Sequence, residues 1–342
     1  MNILRNISST IVAVCILSSA LYSAQDISKW IRPKEVPQPN DNKLTPKKIE
    51  LGKLLFFDVR LSSSNKISCA TCHHPKRGWT DLIEVSKAVG DNGAVGPRNS
   101  PVLLNSAYQH NQFWDGRVKT LEDQALGPIQ NPVEMNISVD KLIQKLNNIK
   151  GYVKLFKEAY PNEGITKDSI AKAIASFERT IVSTTSPFDR YIQGDKTVLS
   201  NEAQEGYKLF MGKAHCVYCH DGFNFTDGSF HNIGLKDGEL KGSDLGRYVL
   251  KHRTAWYGAM KTPTLRDITK SAPYFHDGSV KTLEEAVAIC GNGGRFTHNV
   301  KNKSTFMVDR KLTRDDIKKI VSFLESLTGP DLELEIPNKF PQ

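Results

Sequence analysis

Apolar residues near the C-terminal end fall at Ile317, Ile320, Val321, Leu324 and Leu327, the spacing that turns one helix face toward a core. Core packing is a sufficient account of that stripe. Most other periodic segments also read as helix, and their starts carry polar caps. Thr120 with Asp123, Thr282 with Glu285 and Thr313 with Asp316 resemble capping boxes, and Pro46 follows Thr45 at a first turn. Period-two alternation is sparse. The pattern predicts a mainly α protein with little sheet.

The N-terminus departs from this pattern. Arg5 precedes the apolar run "IVAVCIL" (Ile11–Leu17), followed by the small residues Ser18, Ser19, Ala20 and Ala24. The run is too short to cross a membrane and reads as a secretory signal over residues 1–24, cleaved after Ala20 or Ala24. Cys15 lies inside it, and Val14 before that cysteine does not fit a lipoprotein. An exported chain is expected, in the periplasm or an equivalent compartment, with residues 25–42 as a Pro-rich lead-in.

Beyond the leader the pattern repeats. "LGKLLF" (Leu51–Phe56) has a counterpart in "EGYKLF" (Glu205–Phe210), and "FWDGRVKTLE" (Phe113–Glu122) in "FHDGSVKTLE" (Phe275–Glu284). "AIASFERT" (Ala173–Thr180) answers "KIVSFLES" (Lys319–Ser326), and Pro101 and Pro263 hold matching places. Landmarks in the same order predict two related tandem helical domains, 43–190 and 191–342, divided within Ser183–Ser200. The chain of 342 residues is long enough for two cores.

Composition adds little: 39% hydrophobic and 24% charged residues are ordinary for a soluble protein. The net charge of +9 comes from Lys interspersed with Asp and Glu, a solvated surface without a nucleic-acid signature. The cysteines change the picture. Four of the six stand in "CATCH" (Cys69–His73) and "CVYCH" (Cys216–His220), one motif per repeat. Redox disulfides or zinc half-sites use Cys-x-x-Cys, but neither explains a histidine at the next position twice. Covalent haem c does: thiols Cys69, Cys72, Cys216 and Cys219 take the vinyl groups, and His73 and His220 are the proximal iron ligands. The expected fold is therefore two tandem cytochrome c-like helical domains, each with one haem c.

The repeats differ where chemistry divides. The offset of the "KTLE" segments places Cys290 opposite Pro128. Proline offers iron no donor, whereas a cysteine sulfur is a strong soft ligand. The first haem is therefore expected to keep an open site, and the second to be closed by Cys290. Only the first repeat carries "GPIQNPVEM" (Gly127–Met135), with Gln124 before it and Glu134 within it as a candidate proton shuttle. Trp114 stands where the second repeat has His276, as a candidate electron relay.

These residues resemble the bacterial dihaem cytochrome c peroxidase and MauG family. The resemblance runs from "LGKLLFFDVRLSSSNKISCATCH" (Leu51–His73) through "GPRNSPVLLN" (Gly96–Asn105) and "SPFDRYIQGD" (Ser186–Asp195). It continues over "KTPTLRD" (Lys261–Asp267) to "SFLESLTG" (Ser322–Gly329). It implies a peroxidatic haem on Cys69, Cys72 and His73 and an electron-transfer haem on Cys216, Cys219 and His220. Trp114 would lie between them, with Glu134 and Gln124 in the distal pocket. It also implies a calcium ion held by the Asn99 side chain and the carbonyls of Ser271 and Pro273. Two departures stand out. Asp91 occupies the loop place where peroxidases carry a capping histidine, so the first haem is expected to be open at rest. Cys290 replaces methionine or tyrosine; Met260, His276 and His298 are fallback ligands.

The leading expectation is an enzyme reducing hydrogen peroxide with electrons from a small cytochrome or cupredoxin. The alternatives are MauG-like oxidation of a partner protein, the haem subunit of a hydrazine synthase-like complex acting on nitric oxide, and a plain electron carrier. Oligomeric state stays open between a homodimer and a subunit of a larger complex.

Overall fold

The structure is a computed structural model that describes residues 28–81, 93, 96–235, 244–296, 298 and 300–342. The signal segment and Asp91 lie outside the described residues.

The first unit is organised on two crossing helices, α1 (Pro46–Phe57) and α5 (Lys167–Glu178). Thr45 caps α1 by accepting from Lys48 N at 3.3 Å, with Pro46 in the first turn. Between them in sequence lie α2 (Leu121–Gln130), α3 (Val139–Asn147) and α4 (Lys150–Ala159). After the short α6 (Pro187–Ile192), the second unit repeats the crossing with α7 (Asn201–Met211) and α9 (Arg314–Glu325), and α8 (Leu283–Gly291) takes the place of α2. Thr120, Thr282 and Thr313 cap their helices as the sequence predicts, accepting from the N–H three residues on at 3.1, 3.2 and 3.1 Å.

A glycine sits at each crossing because the two backbones touch there. A Cβ on Gly52 would lie 1.9 Å from the Ala173 carbonyl oxygen, and one on Gly206 would lie 1.8 Å from that of Lys319. Glycine inside a helix costs about 0.5–1 kcal/mol relative to alanine. Close helix contact offsets that cost in both units.

Beside each crossing packs the same aromatic trio. Phe56 and Phe177 meet edge-on with centroids 5.2 Å apart, and Trp79 lies 6.3 Å from both. Phe210 and Phe323 meet at 5.1 Å, with Phe225 at 6.0 and 6.1 Å. The "DG-VKTLE" segments match in backbone as well. Phe113 and Phe275 both hold positive φ (66° and 68°), and the bridges Gln112–Val118 and Tyr274–Val280 are equivalent.

The chain ends cross over between the units. Trp30 is fully buried in the second core, its ring centroid 4.7 Å from that of Phe225 and 6.3 Å from that of Phe188. The C-terminal tail runs the other way, laying Leu332, Leu334, Ile336 and Phe340 on the first core. Gly151 N donates to Gln342 O at 2.7 Å, and Arg60 Nη2 to Pro341 O at 3.0 Å. Sheet among the described residues is one two-stranded pair, β1 (Phe230–His231) against β2 (Met260–Lys261). No described helix is long and apolar enough to cross a membrane.

Candidate haem sites

Both Cys-x-x-Cys-His motifs fold as a single tight turn. His73 N donates to Cys69 O at 3.0 Å and His220 N to Cys216 O at 2.9 Å, which brings two sulfurs and an imidazole onto one turn. Each imidazole is then held from behind. His73 Nδ1 lies 3.2 Å from the Trp79 carbonyl and His220 Nδ1 lies 2.8 Å from the Phe225 carbonyl. A carbonyl oxygen only accepts, so the ring proton belongs on Nδ1. Nε2 keeps its lone pair, the tautomer that metal ligation requires. Burial lowers the pKa of both histidines and keeps them neutral.

Trp79 and Phe225 perform this orientation with left-handed backbones, φ 62° and 50°. Positive φ is costly for a bulky residue. Here it points the carbonyl back at the histidine while the ring stays in the aromatic trio. Neither residue stands out by type alone; the signal is the shared pattern of "GWTD" (Gly78–Asp81) and "NFTD" (Asn224–Asp227) shortly after each histidine.

The thiols point away from the rival readings. Burial pushes Cys72 and Cys216 up to about 12 and Cys69 higher still. A redox-active Cys-x-x-Cys pair needs the opposite shift. The two motifs pack against different cores, so they share no four-ligand zinc site.

Behind the second motif lies a cavity of about 280 Å³. Cys216, Cys219 and His220 line it with apolar side chains that include Phe210, Ile320 and Leu324. An apolar void with two thiols and an oriented imidazole fits a flat hydrophobic macrocycle. Cys290, Met260 and His276 also line it, whereas His298 is exposed. Cys290 is solvent-accessible as well as lining this cavity; the protein around its thiol and nearby Cys219 push its pKa up to about 12.

In the first unit Pro128 lies inside α2, and Gln124, one turn earlier on the same face, is half-buried. Glu134 follows in the next turn. Asn131 Nδ2 donates to its Oε1 at 2.9 Å. Burial raises the Glu134 pKa, opposed by that hydrogen bond and by the charge of Arg117. Its own charge reaches Cys69 and Cys72, which places it beside the first attachment turn.

Trp114 stands at the junction of the units. Its Nε1 donates to Asn99 O at 2.8 Å, its carbonyl accepts from Lys261 N at 2.7 Å, and its ring lies 6.4 Å from that of His276. Repeat-equivalent residues thus meet face to edge across the interface. Asn99 Nδ2 donates to Pro273 O at 2.6 Å, while Asn99 Oδ1 is a buried acceptor with no hydrogen-bond partner. Ser271 and Pro273 border the same cavity. An orphaned amide oxygen beside backbone carbonyls is a donor set suited to a hard cation.

Family models agree with this geometry. The model for di-haem cytochrome c peroxidase matches residues 46–197 and that for cytochrome c matches 203–328. The methylamine utilization protein MauG of Methylorubrum extorquens is 41% identical over 92% of this chain and 89% of its own length. The chain belongs to the di-haem cytochrome c peroxidase and MauG family. Cytochrome c551 peroxidase of Nitrosomonas europaea is 40% identical over 84% of this chain and 82% of its own. The crystal structure of a MauG-like protein associated with microbial copper homeostasis superposes with a TM-score of 0.80 at 31% identity. It covers 88% of this chain and 95% of that one. Membership makes the protein a mainly helical two-domain oxidoreductase carrying two haem c groups.

Proposed function

We propose that the protein is an exported enzyme that reduces hydrogen peroxide to water, with peroxide reacting at the first haem and electrons arriving at the second. The observation that carries this is the inequality of equivalent positions. Pro128 and Gln124 stand on α2 of the first unit and the charge of Glu134 reaches Cys69 and Cys72, while Cys290, the counterpart of Pro128, lines the second cavity. The peroxidase relative from Nitrosomonas europaea supports the substrate class. The balanced reaction consumes one peroxide, two protons and two electrons and yields two waters.

When bound on Cys69, Cys72 and His73 and on Cys216, Cys219 and His220, the haems would supply iron that exchanges single electrons. The chain supplies positioning and protons. Glu134, raised in pKa and steadied by Asn131, carries a proton from one peroxide oxygen to the other. The Gln124 amide orients peroxide. Trp114 would relay electrons between the units, and Cys290 would be a second ligand for the iron held by His220. Asn99 Oδ1 and the carbonyls of Ser271 and Pro273 hold a calcium ion that ties the units together. The electron donor is a small cytochrome or cupredoxin, met outside the cytoplasm after removal of the 1–24 leader.

MauG-like oxidation of a partner protein is the second reading, favoured by the 41% identity to a MauG protein. Steady-state assays with hydrogen peroxide and a reduced small cytochrome separate the two. Stoichiometric donor oxidation is expected. Asp91 adds that the resting oxidised protein reacts without pre-reduction. A doubly haem-loaded protein that leaves the reduced cytochrome untouched would overturn the peroxidase reading.

A further inference from the structure

Glu178 closes α5 in the first unit, and the repeat pairs it with Leu324 of α9. Leu324 lines the second haem cavity. At the position where the second unit turns a leucine into this cavity, the first unit has a carboxyl group. Glu178 is only 4% exposed, and its Oε2 is a buried atom with no hydrogen-bond partner.

Its neighbours leave it uncompensated. Arg179 forks onto Glu122, Nη1 to Oε1 at 2.8 Å and Nη2 to Oε2 at 3.0 Å. Asn42 Nδ2 adds a third bond to Glu122 Oε1 at 2.8 Å. Arg179 from the same helix and Glu122 from α2 are the charged groups that act on Glu178, with opposite signs. α1, packed on the other side, brings the apolar Leu51, Leu55 and Phe56 into the core. On the attachment turn, Glu178 exerts the largest electrostatic influence on Cys69, ahead of Cys72 and Glu134. Burial pushes the Glu178 pKa up to about 8, so its proton is exchangeable near neutral pH.

We infer that Glu178 is a redox-linked proton site of the first haem. Its carboxylate takes up one proton from solvent as that haem gains one electron, and releases it on re-oxidation. A buried negative charge beside an iron centre is tolerated best when the iron carries its extra positive charge. Reduction removes that charge, Arg179, the cation that acts on Glu178 among the described residues, is committed to Glu122, and a proton is the available replacement. Electron and proton then reach together the unit whose reaction consumes both. This rests on haem attachment at Cys69 and not on the identity of the oxidant.

The test is a spectroelectrochemical titration of the holoprotein with dithionite as reductant, over pH values on either side of about 8. In the wild type the first-haem potential should fall as pH rises, with a slope approaching about 59 mV per pH unit, the one-electron equivalent of a tenfold change. Glu178→Gln keeps the shape of the neutral acid and should flatten that slope while the second-haem curve stays put. Glu178→Leu, the residue of the second unit, should do the same and serves if the amide variant fails to fold. Glu134→Gln, which removes the other carboxyl near Cys69, should keep the slope. A flat wild-type curve, an unchanged slope in either Glu178 variant, or loss of the slope in Glu134→Gln overturns the assignment. Haem stain on a denaturing gel reports attachment at Cys69 separately.

Discussion

The two units share a scaffold and differ in the charge they set around the haem. Glycine crossing, aromatic trio, carbonyl-held histidine and capped helix all recur with matching geometry. The fields recur only in part. Glu178 and Glu134 act on Cys69, and Asp81 and Glu134 on Cys72. The second unit keeps a carboxylate at Asp227, the counterpart of Asp81, but pairs it with His231, which also bonds Cys219, while Cys290 acts on Cys216 ahead of Arg310. Nearby carboxylates favour the more oxidised iron and nearby cations the more reduced one. Under the proposed function, this difference would suit the first haem to reacting with an oxidant and the second to holding an electron. The repeat-equivalent positions differ as well, Pro128 in one unit against Cys290 lining the cavity of the other.

Removing either attachment pair tests this division most severely. Cys69→Ala with Cys72→Ala should lose about half the covalent haem stain and all peroxide turnover. Cys216→Ala with Cys219→Ala should lose the same stain but keep single-turnover reaction with peroxide at the first haem. Equal catalytic damage from both pairs in single-turnover measurements would break the comparison. Glu134→Gln comes next. A positioned acid–base group contributes about 10²–10⁴-fold in rate, so kcat should drop in that range with both haems retained. Gln124→Ala should cost less, since an amide orients but does not exchange a proton. Wild-type turnover in Glu134→Gln would remove the proton shuttle.

The shared half of the comparison predicts equal effects. Gly52→Ala and Gly206→Ala each drive a methyl into a carbonyl oxygen, and overpacking of this kind costs about 1–3 kcal/mol or more. Denaturant unfolding followed at each haem should show similar losses. Tolerance at either site would mean that the crossing relaxes. A smaller and one-sided effect is expected from Cys290→Met, which should raise the potential of the second haem and leave the first unchanged. No spectral change in the second haem would remove Cys290 as its ligand and favour Met260 or His276, which line the same cavity.

Much of this was legible because the chain is its own alignment. Helix starts at Thr120, Thr282 and Thr313 follow from local chemistry, and the haem attachments follow from a spacing that serves one purpose. Trp79 and Phe225 were hidden because their role belongs to a backbone carbonyl, which side-chain type does not advertise. Glu178 was hidden inside a quoted repeat, where a carboxyl opposite a leucine looks like a solvent-facing helix position until burial is known. The crossing of Trp30 into the second core and of the tail onto the first was beyond pattern reading, since such contacts span most of the chain.

The finest test concerns His231, whose effect should be the smallest because its charge is half-cancelled. Its Nε2 lies 2.9 Å from Asp227 Oδ2 and its Nδ1 lies 3.3 Å from Ser304 Oγ. Hydrogen bonding to Asp227, and then to Cys219, raises its pKa to about 10. The sign follows from the direction. A histidine raised above 6.5 stays charged through neutral pH, and its stabilising contribution, full below 6.5, is lost as pH rises through about 10. Once Cys219 carries haem as a thioether, Asp227 is the partner that remains, and it still raises the pKa of His231 beside that sulfur. His231→Gln leaves the Asp227 carboxylate alone there, so the second-haem potential should fall by tens of millivolts while the first is unmoved. Asp227→Asn should shift it upward when measured below pH 6.5, where an unpaired imidazole remains charged. Opposite shifts from two partners in one ion pair are what a local field produces, whereas a packing defect would move both in the same direction. If His231→Gln raised the second potential, or moved the first as far, the contrast in fields would not be what separates the two haems.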